Sequence, residues 1–294
     1  MALFVIYNYQ FSPIMNKGDD ELFPDFYDVD VNESIQHKHE IFEEFFDMED
    51  LNRLQIDHED FNVKMVSKRD HFIVFRIANN KKIRLERDFE DFDTESHPSC
   101  YVLLDNRDNT QVIAVQKCRY AFYSTKTVVK ILMQALNGFL AKKRLRVNIG
   151  QKFSTHEFWN FVEQHDEGIK KVEFYFGYPN MPVVTDLVEN ILELGRRTNS
   201  DPSVMLKGQN KEPLILSKEE TFLINSLRAC AATGRPIYIT PMNKQNKVKI
   251  GTKEPIILEL NDQVLEGLKK EDLFDSHHSR LVEFMNHIKL YYDE

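Results

Sequence analysis

The chain has 294 residues, 42% of them hydrophobic and 29% charged, with ten glycines, ten prolines and a formal charge of -9. That length allows one large or two modest domains, and the apolar fraction with so little Gly and Pro excludes a low-complexity or disordered polymer. No apolar run approaches the roughly 18 residues that a bilayer-spanning helix needs, and three cysteines without a CxxC pair argue against a disulfide framework and predict a cytoplasmic protein.

The opening stretch MALFVIYNYQF lacks the basic region and small-residue cleavage site of a signal peptide, and predicts a buried first strand over residues 3–11. Residues 19–60 then carry 16 acidic side chains against Lys38 and Arg53. Within them Ile41, Phe42, Phe45, Phe46 and Met48 fall on one side of a short helix, an aromatic face that needs a partner. Phe72, Val74 and Phe75 lead to Asn79-Asn80, a pair that tolerates positive φ, and Ile83 and Leu85 follow, which predicts a hairpin. A second acidic patch over 86–95 and then Pro98 close this region. The expected division is an acidic N-terminal α+β region, 1–97, and a central and C-terminal α+β domain, 98–294, that carries a basic strip.

Residues 100–105 and 111–116 read as two strands joined by a turn over 106–109. Ser124 is placed to cap a helix whose apolar positions are Val128, Ile131, Leu132, Ala135, Leu136 and Phe139. Over 144–149 the pattern alternates, with Leu145, Val147 and Ile149 on one face and Arg144, Arg146 and Asn148 on the other. Ser154 and Glu157 form a capping box ahead of Phe158, Trp159 and Phe161, and 171–177 is a further strand. This hairpin–helix–strand–helix–strand order predicts an α+β fold with mixed or antiparallel sheets and packed helices. Asp186 then opens a helix to Leu194, residues 196–210 read as polar and mobile, and Ser217 to Glu220 is a second capping box for a helix that Gly234 ends. Strands over 236–240 and 255–260 flank a basic hairpin at 243–251, and an amphipathic helix over 276–291 follows. No internal repeat is present.

Catalysis finds little support. Asp105 and Lys117 sit as in a metal-dependent nuclease, yet the residue two before Lys117 is Val115, so the second carboxylate is missing. Arg280 and His287 lie two helical turns apart, the arrangement with which small helical ribonucleases move a proton at a 2′-hydroxyl and stabilise phosphate charge. His37 with His39, and His277 with His278, lack the spacing of a zinc site, and no nucleophile elbow or Gly-rich phosphate loop occurs. No metal and no cofactor is expected.

Charge patterning says more. Residues 1–95 hold 23 acids and 11 bases, a net -12, whereas residues 96–294 hold 27 bases and 24 acids, a net +3. From 109 to 156 there is no acid at all. Lys126, Lys130, Lys142, Lys143, Arg144, Arg146 and Lys152 of that strip, with Lys244, Lys247 and Lys249 of the hairpin, are the candidate contacts to nucleic-acid phosphates. The plainer alternative is solubility charge, with Lys142 and Lys143 complementing a helix C-terminus. The acidic segment is expected to shield the strip; alternatively the acidic, Phe-rich segment 19–60 docks a basic protein partner and the strip is solubility charge.

The middle of the chain, from the Tyr101-Val-Leu-Leu strand through Ala114-Val-Gln-Lys117, the Ser124 helix, the 144–149 strand, the Ser154 helix and the 171–176 strand, resembles the RexA-like phage-exclusion proteins of bacteria. The stretch Ala229-Cys-Ala-Ala-Thr-Gly-Arg235 and the Lys-rich hairpin after it resemble the same set. The likeness covers residues 100–260 as architecture. It implies a homodimeric α+β protein that binds nucleic acid, DNA included, without strong sequence preference and acts in abortive infection; no catalytic residue is implied. The acidic segment is not a feature of that family.

Overall fold

The computed structural model describes residues 1–14, 31–49, 51–56, 59–107, 110–176, 190, 191, 193–195, 200–251, 255–267 and 274–290. The fold is α+β, as the sequence predicts. Its elements divide between two compact units, one made of Met1–Val5, Phe11–Asn148 and Leu258–Ile288, the other of Ile6–Gln10, Ile149–Ile257 and Lys289–Glu294.

The strands β1 (Ala2–Pro13), β2 (Arg53–Ile56), β3 (Glu59–Arg69), β4 (Phe72–Asn79), β7 (Ser99–Asp105), β8 (Val112–Gln116) and β14 (Ile257–Leu260) form one sheet in the order β14-β1-β8-β7-β4-β3-β2, with β9 (Leu145–Gln151) also paired to β1. The run of Val, Ile, Tyr and Phe in β1 is buried almost throughout. Strand β4 pairs on both sides, Met65 opposite Phe75 and Ile77 opposite Cys100. Consequently the hairpin expected at Asn79-Asn80 does not form: both edges of β4 are taken, and β5 (Lys81–Arg87) turns back on β6 (Glu90–Ser96) instead. The Asn79 N–H donates to the Pro98 carbonyl at 3.0 Å and closes the base of this separate ribbon. Its turn is Asp88-Phe89, with φ of 54° and 68°, the left-handed pair that matches strand twist in a two-residue hairpin. The predicted boundary at 97/98 therefore does not separate two sheets, since β4 and β7 are neighbours across it.

Helices α1 (Val31–Gln36) and α2 (Lys38–Glu44) precede a 3-10 turn, Phe45–Asp47. Ile41, Phe42, Phe45 and Phe46 are buried as predicted, while Met48 is exposed. Phe46 packs 5.6 Å from Phe75, and Phe45 lies edge-on 5.7 Å from Phe139 on α3 (Thr125–Leu140). Ile41, Phe42, Phe45 and Phe46 of the acidic segment thus belong to the core. Ser124 caps α3 by accepting from the Lys126 N–H at 3.2 Å. The C-terminal helices are α6 (Asp262–Gly267) and α7 (Phe274–Leu290), the latter burying Leu281, Phe284, Met285 and Ile288. Tyr291, the expected end of α7, lies outside the described residues, as does the start of the helix expected from Asp186.

In the second unit, β10 (Ile169–Tyr175), β11 (Ser203–Lys207), β12 (Ile237–Pro241) and β13 (Val248–Ile250) make an antiparallel sheet in the order β11-β10-β12-β13. Alternation from Lys171 onward gives it two unlike faces. Val172, Phe174, Ile237, Ile239 and Ile250 turn inward with Phe158 of α4 (His156–Glu163) and Leu223, Leu227, Cys230 and Ala231 of α5 (Thr221–Thr233). Residues 203–207 are a strand here rather than mobile chain, because Val204 and Leu206 pack on that core. The Ser217 turn stands ahead of α5: its Oγ accepts from the Glu219 N–H, and Glu220 is the capping residue. Gly234 ends α5 at φ 67°, as expected. Strand β14 joins the larger sheet, so the basic hairpin is β12–β13. Among the described residues no helix is long and apolar enough to cross a membrane.

Candidate nucleic-acid interface

The face of the second sheet away from its core carries Lys171, Glu173 and Tyr175 on β10, Ser203, Met205 and Lys207 on β11, Tyr238 and Thr240 on β12, and Lys249 on β13, all set by the pairing register, with Glu173 and Thr240 themselves buried. At its centre Glu173 accepts a hydrogen bond from Lys171 Nζ, and Lys247 Nζ donates to its other oxygen at 3.0 Å. The Lys171 contact holds the Glu173 carboxyl below the usual carboxylate range; burial opposes this and Lys247 adds to it. Glu173 in turn raises the Lys247 ammonium above its ordinary value. Lys247 also lies 4.3 Å above the Tyr238 ring, and Tyr238 stands edge-on to Tyr175 with centroids 5.5 Å apart. Lys207, Lys244, Lys247 and Lys249 are exposed.

Of the candidates named from sequence, Lys247 and Lys249 come together here, and Lys244 lies in the turn between β12 and β13. Lys171, Lys207, Tyr175, Tyr238 and Glu173 were missed. Their signal was the same alternation that marks the strand: in Lys171-Val-Glu-Phe-Tyr175 and Ile237-Tyr-Ile-Thr240 the polar and aromatic residues take every second place.

The 109–156 strip is less uniform than its composition suggests. Lys126, Lys130 and Lys142 are exposed on or just after α3, and Arg146 is exposed on β9. Lys143 is half-buried, with Nζ 3.9 Å from Glu44 of the acidic helix, so acid does meet base there. Arg144 is not on the strand: it has φ 55° in the turn before β9 and is half-buried. Lys152 is 1% exposed, and burial lowers its pKa to about 7. It does not belong to a solvent-facing phosphate site.

The catalytic candidates do not converge. Arg280 and His287 are both exposed on α7, opposite its buried stripe. Asp105 is fully buried and receives Arg107 through Nε at 3.0 Å and Nη2 at 2.7 Å, a structural pair rather than a metal ligand, while Lys117 is exposed. No group of three His, Cys, Asp or Glu placed to hold a metal occurs among the described residues. No family model, curated protein or solved structure matches this chain.

Proposed function

We propose that this protein binds single-stranded nucleic acid through the open face of the β11-β10-β12-β13 sheet, without strong sequence preference and without acting on it as an enzyme. One observation carries the reading: a tyrosine pair lies on a sheet face whose surrounding strands and hairpin supply Lys171, Lys207, Lys244, Lys247 and Lys249. Aromatic rings on a sheet stack bases whatever their identity, and lysines around them meet the phosphates. The single carboxylate among them, Glu173, is engaged by two lysines and leaves the face cationic. Exposed Lys126, Lys130, Lys142 and Arg146 in the other unit are a second, purely electrostatic contact. The biological setting we propose is phage defence by abortive infection, in the cytoplasm and as a homodimer, which rests on the resemblance of residues 100–260.

The test is fluorescence anisotropy with random-sequence single-stranded RNA and DNA and their duplexes. Single strands are expected to bind more tightly than duplexes. Tyr238→Leu is expected to weaken the single strands about tenfold, the loss of one stacked base, and to leave duplex binding alone. Equal loss for both forms would refute stacking. Binding of neither form at low salt would refute the proposal.

A further inference from the structure

Strand β10 is irregular at its start. Ile169 pairs with Pro241 and Lys171 with Thr240, so Lys170 is an extra residue, a β-bulge against β12. A bulge breaks the alternation of side chains and re-aims one of them. Here it sets two successive lysines, Lys170 and Lys171, on one pocket of about 330 Å³, together with Lys207, Lys247, Met205, Gln245 and Thr240. Ordinary pleating would have sent Lys170 to the opposite face, where Val172 and Phe174 are buried.

We propose that this pocket is a phosphate-monoester site, which receives the terminal phosphate of a nucleic-acid strand lying on the sheet. The inference rests on the nucleic-acid reading of the same face and adds which part of the strand is recognised. Four lysines line the pocket, and Glu173, bound to Lys171 and Lys247, offsets one charge, leaving three. A phosphodiester brings one negative charge, whereas a monoester brings about -1.5 to -2 at neutral pH and three acceptor oxygens. The monoester matches the charge better, and a concave pocket encloses a chain end where an open face only tracks a continuous backbone.

The experiment measures binding of one RNA sequence prepared with a 5′-phosphate, a 3′-phosphate or hydroxyls at both ends, with AMP and inorganic phosphate as competitors. One phosphorylated end is expected to bind about tenfold more tightly than the hydroxyl form, the scale of one or two charge-assisted contacts. Lys170→Gln is expected to erase that advantage and leave the hydroxyl form unchanged, since Lys170 reaches the pocket only through the bulge. AMP competing as strongly as the phosphorylated strand would support the same phosphate chemistry with a free nucleotide as its source. Equal binding of all three RNA forms, with AMP inert, would overturn the inference while leaving the sheet-face reading intact. AMP binding with no RNA bound would overturn the sheet-face reading and leave only a phosphate pocket for a free nucleotide.

Discussion

Replacing Glu173 by Gln removes the carboxylate at the centre of the open sheet face while keeping its shape. In the native protein Lys171 and Lys247 are both committed to Glu173, Lys247 at 3.0 Å, so each must leave an ion pair before it meets a phosphate. Glu173 is buried while both lysines reach solvent; at about 0.5 kcal/mol for each pair, freeing two gives about 1 kcal/mol, or roughly fivefold in affinity. Both lysines then become available as phosphate contacts, and the salt dependence steepens by about 0.7 for each one gained. Anisotropy titrations of single-stranded RNA across a salt series, on native protein and Glu173→Gln, measure both quantities. Unchanged or weaker binding by a variant with a native circular dichroism spectrum would refute the reasoning. The same variant has a signature in acid. The ionised form of Glu173 is favoured in the folded state, so its contribution to stability is complete above the ordinary carboxyl value of 4.5 and is lost as pH falls through the lower folded value. Glu173→Gln is expected to flatten that acid limb.

Three further substitutions test the packing that holds the sites. Burial holds Lys152 at about pH 7 instead of 10.5, so the unfolded chain binds the extra proton between those values and stability rises with pH across that window; Lys152→Met is expected to raise Tm at pH 7 and abolish the rise, and an unaltered pH profile of Tm would contradict this. A Cβ on Gly150 would stand 2.5 Å from the Thr233 carbonyl and 2.9 Å from the Gly234 Cα, contacts with backbone that cannot move aside, so Gly150→Ala is expected to cost about 2–3 kcal/mol in urea unfolding, and a neutral effect would contradict that close approach. Arg107→Ala leaves the fully buried Asp105 without its guanidinium partner and is expected to cost about 3 kcal/mol in the same assay, whereas a loss under 1 kcal/mol would mean that other contacts hold that carboxylate.

Much of the fold is legible because it is local. The Ser124 cap, the Gly234 stop and the period-two pattern of 171–176 each depend on a few neighbouring residues, and each appears where expected. What the sequence hides is which strand pairs with which. Asn79-Asn80 has good turn chemistry, but the turn fails because β4 finds β3 and β7 on its two sides, partners distant in sequence. The strand at 203–207 was masked by polar neighbours, and only pairing with β10 distinguishes it from a loop. The candidate site suffers from the same blindness. A run without acids draws attention to 109–156, yet charge in sequence is not charge in space: Lys152 turns inward, Lys143 meets Glu44, and lysines from 171, 207, 247 and 249 assemble on one face although 78 residues separate the first from the last. The acidic helix shows the converse, since Glu40 and Glu44 are exposed and Glu43 is half-buried beside His71 and Asn106, while Phe42, Phe45 and Phe46 build the core. Deleting the chain before Val63 to expose a shielded strip would therefore remove β1, α2 and β2 and unfold the unit.

The measurement that bears most directly on the central claim compares two triple variants in the same single-strand binding titration across salt. One replaces Lys207, Lys247 and Lys249 by Gln on the sheet face, and the other replaces Lys126, Lys130 and Lys142 by Gln around α3. Single-strand affinity is predicted to collapse in the first, with the salt slope falling by about 2 for three lost phosphate contacts, and to drop only slightly in the second. The opposite ranking, with the sheet-face variant binding like the native protein, would contradict the account.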